Sequence, residues 1–146
     1  MPDVGLTHVA LQVTNLDSSV SFYSRYAKMR VVHRRYQGSN PDKEIGWLSD
    51  GSRPFALVLA ETDAVENTLG PFAHLGVACE TLNELLELSS IAEAEGVLRQ
   101  PPKETGGPAG TYAMLNDPDG HTLELSYGQE VAYSIRDHYQ SHFKGE

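Results

Sequence analysis

The sequence predicts an α+β protein made of two βαβββ modules, whose sheets curl into an incomplete barrel with a cup between them. The first observation is an apolar strand pattern at residues 7–13, which is followed by a polar joint and a helical pattern. The second is the return of the same order from residues 73–79 onward. His8 and His74 occupy matching positions in these segments and lie close to half the chain length apart. Such self-similarity is typical of a duplicated module.

The first module has a strand signal at residues 5–13, which are mostly apolar and β-branched. Asn15 and Asp17 offer N-cap chemistry before residues 18–27, where apolar side chains fall near helical spacing. Three more strands follow, because polar turns with Gly, Asn, Asp and Ser divide the rest of the module. They are expected over residues 30–36, 44–48 and 55–60.

The second module repeats this order. A strand is expected at residues 72–79 and an amphipathic helix at residues 82–95, which Gly96 ends as a left-handed cap. The Pro- and Gly-rich loop 101–110 is a candidate mobile lid, and a terminal helix is expected at 130–143. The helix residues expected to be buried are Leu82, Leu85, Leu86, Ile91 and Ala92. The remaining strands are expected over residues 97–100, 111–116 and 122–127.

The whole chain is expected to form one domain, with module one at 1–66, module two at 67–129 and a C-terminal helix region at 130–146. A chain of 146 residues can bury a sizeable core. No apolar run is long enough to cross a bilayer, and the start carries no secretory pattern. The single cysteine, Cys79, excludes an internal disulfide. Together these features predict a cytoplasmic protein.

The net charge of −9 disfavours nucleic acid as a partner. Binding to phosphates needs a cationic face, and the nearest thing to one is the short cluster His33-Arg34-Arg35. We therefore expect neither nucleic acid nor a membrane as a partner, but a small-molecule substrate.

Three side chains stand out as candidate ligands of one divalent metal ion: His8, His74 and Glu124. Each lies in a predicted strand, and a carboxylate in such a strand is costly to bury unless it is paired or bound to metal. Two imidazoles and one carboxylate match the facial triad that leaves open positions on Fe(II). Zn(II), Ni(II) and Mn(II) accept the same ligands. The alternative for each residue is a purely structural role in its strand.

Four motifs together identify a family resemblance. They are LTHVALQV at residues 6–13, SFY at 21–23, AHLGV at 73–77 and NDPDGHTLEL at 116–125. With them the chain resembles the vicinal oxygen chelate superfamily. That group includes glyoxalase I, extradiol dioxygenases, bleomycin- and fosfomycin-resistance proteins and methylmalonyl-CoA epimerase. The resemblance covers nearly the whole chain, and the last motif is its strongest part.

The resemblance implies metal ligands on the first and last strands of each module, which matches His8, His74 and Glu124. Val58 occupies the symmetric fourth position and cannot ligate. The nearest carboxylate, Glu61, is turned to the opposite face by strand alternation. A three-ligand set resembles that of the extradiol dioxygenases. The leading expectation is therefore an extradiol-type dioxygenase with Fe(II), acting on a small substrate with two neighbouring oxygens.

Proton transfer in such a site needs a donor or acceptor near the ligand strand. Met114 stands where the dioxygenases carry a tyrosine, so that residue has no match here. The candidates are Tyr112, His121 and Tyr127. Candidates for the lining of the cup are Trp47, Phe55 and Phe72.

Two alternatives stay open. A glyoxalase-type lyase or isomerase would use Zn(II) or Ni(II) and a carboxylate base, for which Glu61 is the first-module candidate. A non-catalytic binding protein of the resistance type would use the histidines only to hold a small ligand. The resemblance also implies a homodimer.

Overall fold

Two four-stranded sheets with the same strand order form the framework, in a computed structural model that describes residues 2–143, without the side chains of 141–143. The first sheet runs β1-β4-β3-β2 and the second runs β5-β8-β7-β6. The α+β class and the two βαβββ modules are thereby confirmed. The strands of the first sheet are β1 His8–Val13, β2 Arg30–Gln37, β3 Asn40–Ser49 and β4 Ala56–Glu61. Those of the second are β5 Leu75–Ala78, β6 Leu98–Glu104, β7 Thr111–Asn116 and β8 Thr122–Tyr127.

Three helices complete the described chain: α1 Leu16–Ala27, α2 Leu82–Ala94 and α3 Val131–Phe143. Asn15 caps α1, since its side chain accepts a hydrogen bond from the amide of Ser18 at 2.9 Å. Thr81 caps α2 in the same way, through the amide of Glu84 at 3.0 Å. Gly96 follows α2 with φ of 76°, the left-handed conformation predicted for it. None of the described helices is long and apolar enough to span a membrane.

One face of the first sheet packs against α1. Leu16 and Tyr23 of the helix are fully buried, as are Leu48 and Leu59 of the sheet. Gly46 of β3 permits this close approach, because a Cβ at this position would lie only 3.0 Å from Cδ1 of Leu16. The opposite face of the sheet is therefore left open to line a pocket.

Helix α2 buries a narrower stripe than the sequence predicted. Leu85, Ser89 and Ala92 are buried, at the i, i+4, i+7 spacing of one helix face. Ser89 fills a place in this stripe because its hydroxyl donates to the carbonyl of Leu85 at 2.7 Å. The prediction of burial was therefore wrong for three leucine and isoleucine side chains, which are 39–45% exposed: Leu82, Leu86 and Ile91.

Strand β6 is longer than predicted, and it includes Pro101 and Pro102. It lies at the end of the second sheet, where a strand has one unpaired side. Proline has no N–H to donate, so it is tolerated in edge strands but not in central ones. The predicted loop of residues 101–110 is thus partly strand, with a short 3-10 turn at Gly107–Ala109. Its proposed mobility stays a prediction.

The chain forms two compact units whose limits differ from those of the predicted modules. The first contains the chain up to His74 together with Asn116–Thr122. The second contains Leu75–Leu115 and the chain from Leu123 onward. The turn between β7 and β8 therefore packs with the first module, although it lies in the sequence of the second.

Candidate functional site

His8 is the first residue of β1 and lies on the open face of the first sheet, the face turned away from α1. Strand pairing shows this: His8 is opposite Ala56, and two residues along, Ala10 is opposite Val58. The exposed imidazole of His8 has its Nδ1 atom 2.8 Å from the hydroxyl of Thr7. This contact leaves Nε2 of His8 directed away from Thr7, as a ligand nitrogen would need to be.

A pocket of about 620 Å³ lies beside His8, within the first unit. Trp47 lies on its wall because β3 pairs Trp47 with Val58 of β4 on the same face. Phe55 also lines it, so two of the three aromatic residues proposed for a cup border this pocket. The third, Phe72, is 91% exposed and lies edge-on to the His74 ring. Charged side chains also border the pocket: Arg35, Arg53 and Asp3.

His74 lies just before β5, not within a strand as predicted. Its position is fixed by a different contact: Nδ1 is 2.6 Å from the carbonyl oxygen of Phe72. A carbonyl can only accept, so Nδ1 carries the hydrogen and Nε2 of the neutral ring carries the lone pair. Histidine ligands of metals are commonly oriented by such a second hydrogen bond.

Glu124 occupies the middle of β8 and is only 8% exposed. Gly76 lies opposite it on β5, and a Cβ there would come within 3.2 Å of Oε2 of Glu124. The glycine therefore leaves the space that the carboxylate occupies. Nε2 of Gln129 lies 3.5 Å from Oε1 and partly offsets the burial of the acid.

Among the described side chains of residues 2–140, no group of three or more His, Cys, Asp or Glu lies close enough to hold a metal ion. The ligand set of His8, His74 and Glu124 therefore stays a prediction. The chemistry of each donor fits a divalent cation. His74 presents an Nε2 lone pair, and Glu124 is a buried carboxylate over a glycine.

The two tyrosines proposed as proton donors differ in orientation. In β7, Ala113 and Leu115 are fully buried, so the alternate residue Tyr112 lies on the more open face of the second sheet. Tyr127 lies three residues after Glu124 in β8, and alternation turns it to the opposite face. Tyr112 thus keeps a place in the candidate site, whereas the geometry does not favour Tyr127.

His121, the third proposed donor, is fully buried. Its Nδ1 accepts from the amide of Leu69 at 2.9 Å, and its Nε2 donates to the carbonyl of Gln12 at 2.7 Å. Both ring nitrogens are therefore used by the backbone of the first unit. These bonds favour a structural role for His121, and its role in proton transfer stays an untested prediction.

Two aspartates of the turn that contains His121 also bind side chains from the start of the chain. Asp117 is buried and accepts from the hydroxyl of Tyr23 at 2.8 Å. Asp119 accepts from the hydroxyl of Thr14 at 2.7 Å. The most recognisable motif of the sequence is thus mainly a structural device, and Glu124 is its one candidate ligand. The sequence offered one signal of this structural role, because Asp117, Asp119 and His121 are three polar residues in or next to a single tight turn.

Replacing Tyr23 by Phe is expected to lower the free energy of unfolding by about 1–3 kcal/mol at neutral pH, because buried Asp117 loses a donor. Burial, and then the charge and hydrogen bond of Asp117, raise the pKa of Tyr23 well above its ordinary value. The unfolded chain would therefore lose this proton first, and stability would fall as pH rises above about 10.

Urea unfolding of the wild type and Tyr23→Phe across pH 8–11 measures both effects. The wild type should lose stability more steeply above about pH 10, by up to about 1.4 kcal/mol per pH unit for this group. Equal slopes for the two proteins would contradict the proposed link between Tyr23 and alkaline stability.

Glu61 has a structural role on the far side of the first sheet. Its Oε2 accepts from the amide of Leu16 at 2.9 Å, and its Oε1 accepts from the amide of Glu44 at 2.8 Å. One carboxylate oxygen of Glu61 therefore supports the start of α1, and the other binds the backbone of β3. Val58 stands on the open face, in the position where the resemblance would place a fourth ligand.

The family model described as the Glyoxalase/Bleomycin resistance protein/Dioxygenase superfamily matches residues 5–125. The chain belongs to this superfamily. The resemblance to the vicinal oxygen chelate proteins that the motifs predicted is therefore confirmed.

Similar proteins and solved structures agree with this assignment. An uncharacterized protein of Pseudomonas aeruginosa is 34% identical over 129 residues, which cover 86% of this chain and 90% of the relative. A lactoylglutathione lyase of Arabidopsis thaliana is 27% identical over 81% of this chain, which spans only 42% of that protein. The fosfomycin resistance protein FosX of Listeria monocytogenes shares the fold, with a TM-score of 0.67 at 18% identity, over 88% of this chain and 96% of that one.

Proposed function

We propose that this superfamily member is a divalent-metal-dependent enzyme that acts on a small molecule with two neighbouring oxygen atoms. The observation that carries the proposal is the buried carboxylate of Glu124, which lies over Gly76 and between Leu123 and Leu125 in β8. Such a group is stabilised by a cation or a cationic partner. His8, His74 and Glu124 would hold the metal, in a homodimer. Cys79, the one cysteine of the chain, is a buried thiol, which suits the reducing cytoplasm proposed for the enzyme.

When bound, the metal ion would supply Lewis acidity to the substrate oxygens. The protein's own residues would do the rest. The hydrogen bond from His74 to the Phe72 carbonyl keeps that imidazole in the tautomer with its lone pair on Nε2. The hydroxyl of Tyr112, on the more open face of β7, would donate or accept the proton that moves during the reaction.

Of the possible reactions, we propose dioxygenation of the extradiol type with Fe(II). The support is the ligand set, which has Val58 where a fourth ligand would stand and so leaves room for substrate and dioxygen. Glu61, the first-module candidate for the base of a lyase, does not lie on the open face, because both of its oxygens accept from backbone amides behind the sheet.

A lyase or isomerase of the glyoxalase type is the second candidate, and the relatives favour it. Three of the similar curated proteins are lactoylglutathione lyases or probable or putative ones. A solved FosX structure that shares the fold contains Mn(II), which suits the same donor set. In this case the metal would be Zn(II), Ni(II) or Mn(II), and no oxygen would be consumed.

One reconstitution experiment distinguishes the two reactions. Purified protein is loaded anaerobically with Fe(II), Ni(II), Zn(II) or Mn(II) and the bound metal is measured. Each form is then given a panel of catechols in air or the hemithioacetal of methylglyoxal and glutathione. We expect about one metal ion per site, and oxygen uptake with a yellow ring-cleavage product for the Fe(II) form.

Turnover of the hemithioacetal without oxygen uptake would contradict the dioxygenase reaction and support the lyase reaction. Less than about a tenth of an equivalent of any metal would contradict both reactions. It would favour a protein that only binds a small ligand in the pocket beside His8.

A further inference from the structure

The two consecutive arginines Arg34 and Arg35 of β2 serve opposite faces of the first sheet. Arg34 pairs with Gly46 on the face that packs against α1. There its guanidinium lies 2.9 Å from the carboxylate of Asp17 and 2.8 Å from that of Glu44. The charge of Arg34 is thus neutralised within the protein.

Arg35 is turned to the open face. It pairs with Ile45, in the same register in which His33 pairs with Trp47. Among the described residues, the guanidinium of Arg35 has no hydrogen bond or ion pair, and it borders the pocket beside His8. The short basic cluster in the sequence therefore splits into one structural arginine and one that faces a cavity.

A second arginine reaches the same pocket from the loop between β3 and β4. This residue, Arg53, has no side-chain hydrogen bond or ion pair within the described part of the chain, although its charge lies near Asp50 and helps to lower the pKa of that carboxyl. The one acid in the lining, Asp3, is not bonded to either arginine. Two guanidinium groups and one carboxylate therefore line the pocket, in a protein whose net charge is −9.

The rest of the lining is largely apolar and aromatic. Trp47 is 40% exposed on the pocket wall, next to Phe55 and Val58. A pocket of about 620 Å³ with an apolar wall and two guanidinium groups at its border is suited to a small amphiphilic anion.

We propose that this pocket binds a small organic carboxylate, with its charge on Arg35 and Arg53 and its apolar or aromatic body against Trp47 and Phe55. The proposal rests on the proposed function in one respect: it names the class of substrate presented to His8. Binding of the carboxylate itself requires only the first unit and no metal. It can therefore fail or succeed independently of the reaction.

Trp47 provides the readout, because it is the only tryptophan in the chain. Protein treated with EDTA is titrated with phenylacetate, with the uncharged phenylacetamide and with inorganic phosphate, while tryptophan fluorescence is followed. We expect saturable quenching by phenylacetate, at least about tenfold weaker binding of phenylacetamide, and no displacement of phenylacetate by phosphate.

Matched variants identify the groups that bind the charge. Arg35→Met should weaken binding of phenylacetate at least about tenfold, Arg53→Met should also weaken it, and Arg35→Lys should retain part of it. Arg34→Met is the control, since the charge of Arg34 lies on the other face; it should change the affinity by less than about twofold. Far-UV circular dichroism verifies that each variant is folded.

Three results would overturn the proposal. They are the absence of saturable quenching by phenylacetate up to about 20 mM, equal binding of the amide and the acid, and equal effects of Arg34→Met and Arg35→Met in folded proteins. A protein that binds phenylacetate but no metal would keep this inference and reject the enzymatic one.

Discussion

Glu124→Gln is expected to reduce the bound metal to under about a tenth of an equivalent and kcat/KM by about a thousandfold. The substitution keeps the volume of the side chain but removes the negative charge that a divalent cation requires. The side chain is buried over Gly76, so the amide would still fit the site. The measurements are metal content after dialysis, steady-state kinetics, and urea unfolding to show that the variant is folded.

Glu104→Gln is the matched control for this prediction. Glu104 lies in β6 of the same sheet and is exposed, so its replacement should leave the metal content unchanged. Gly76→Ala offers a milder test, because its methyl group would displace the carboxylate of Glu124 by a few tenths of an ångström. Full metal content in Glu124→Gln would remove Glu124 from the ligand set.

His121→Ala is expected to destabilise the protein by about 3–5 kcal/mol without a comparable loss of activity in the folded fraction. The change would leave the amide of Leu69 and the carbonyl of Gln12 without their partners and open a cavity beneath them. Urea unfolding measures the loss of stability, and kcat/KM at low temperature measures the activity of the folded protein.

The exposed His138 of α3 supplies a control, since His138→Ala should alter the free energy of unfolding by less than about 0.5 kcal/mol. If His121→Ala instead lost activity a hundredfold or more at unchanged stability, the catalytic interpretation of His121 would be restored.

Local sequence patterns predicted the elements that depend on neighbouring residues. The bounds of β7 and β8 agree with the prediction, and α1 begins two residues earlier than expected, after its Asn15 cap. These elements are determined by alternation, helical spacing and capping, all of which are visible within a short window. The duplicated order of elements could be predicted for the same reason.

The contacts that could not be predicted join residues far apart in the chain. His121 was predicted as a candidate for proton transfer, but its ring is bound by Gln12 and Leu69, which lie 109 and 52 residues away in the sequence. The strand predicted for His74 was also too long, because a backbone carbonyl and not strand pairing orients this ring. The different roles of Arg34 and Arg35 depend on strand register, which composition does not reveal.

The assignment of Asn116–Thr122 to the first unit has a consequence for how the protein can be divided. A polypeptide that ended at His74 would retain the first sheet and α1, but Tyr23, Gln12 and Leu69 would each lose the partner that the turn provides. A fragment with residues 1–74 would therefore be less stable than the same residues within the intact chain, because a segment from the other half of the sequence completes its packing.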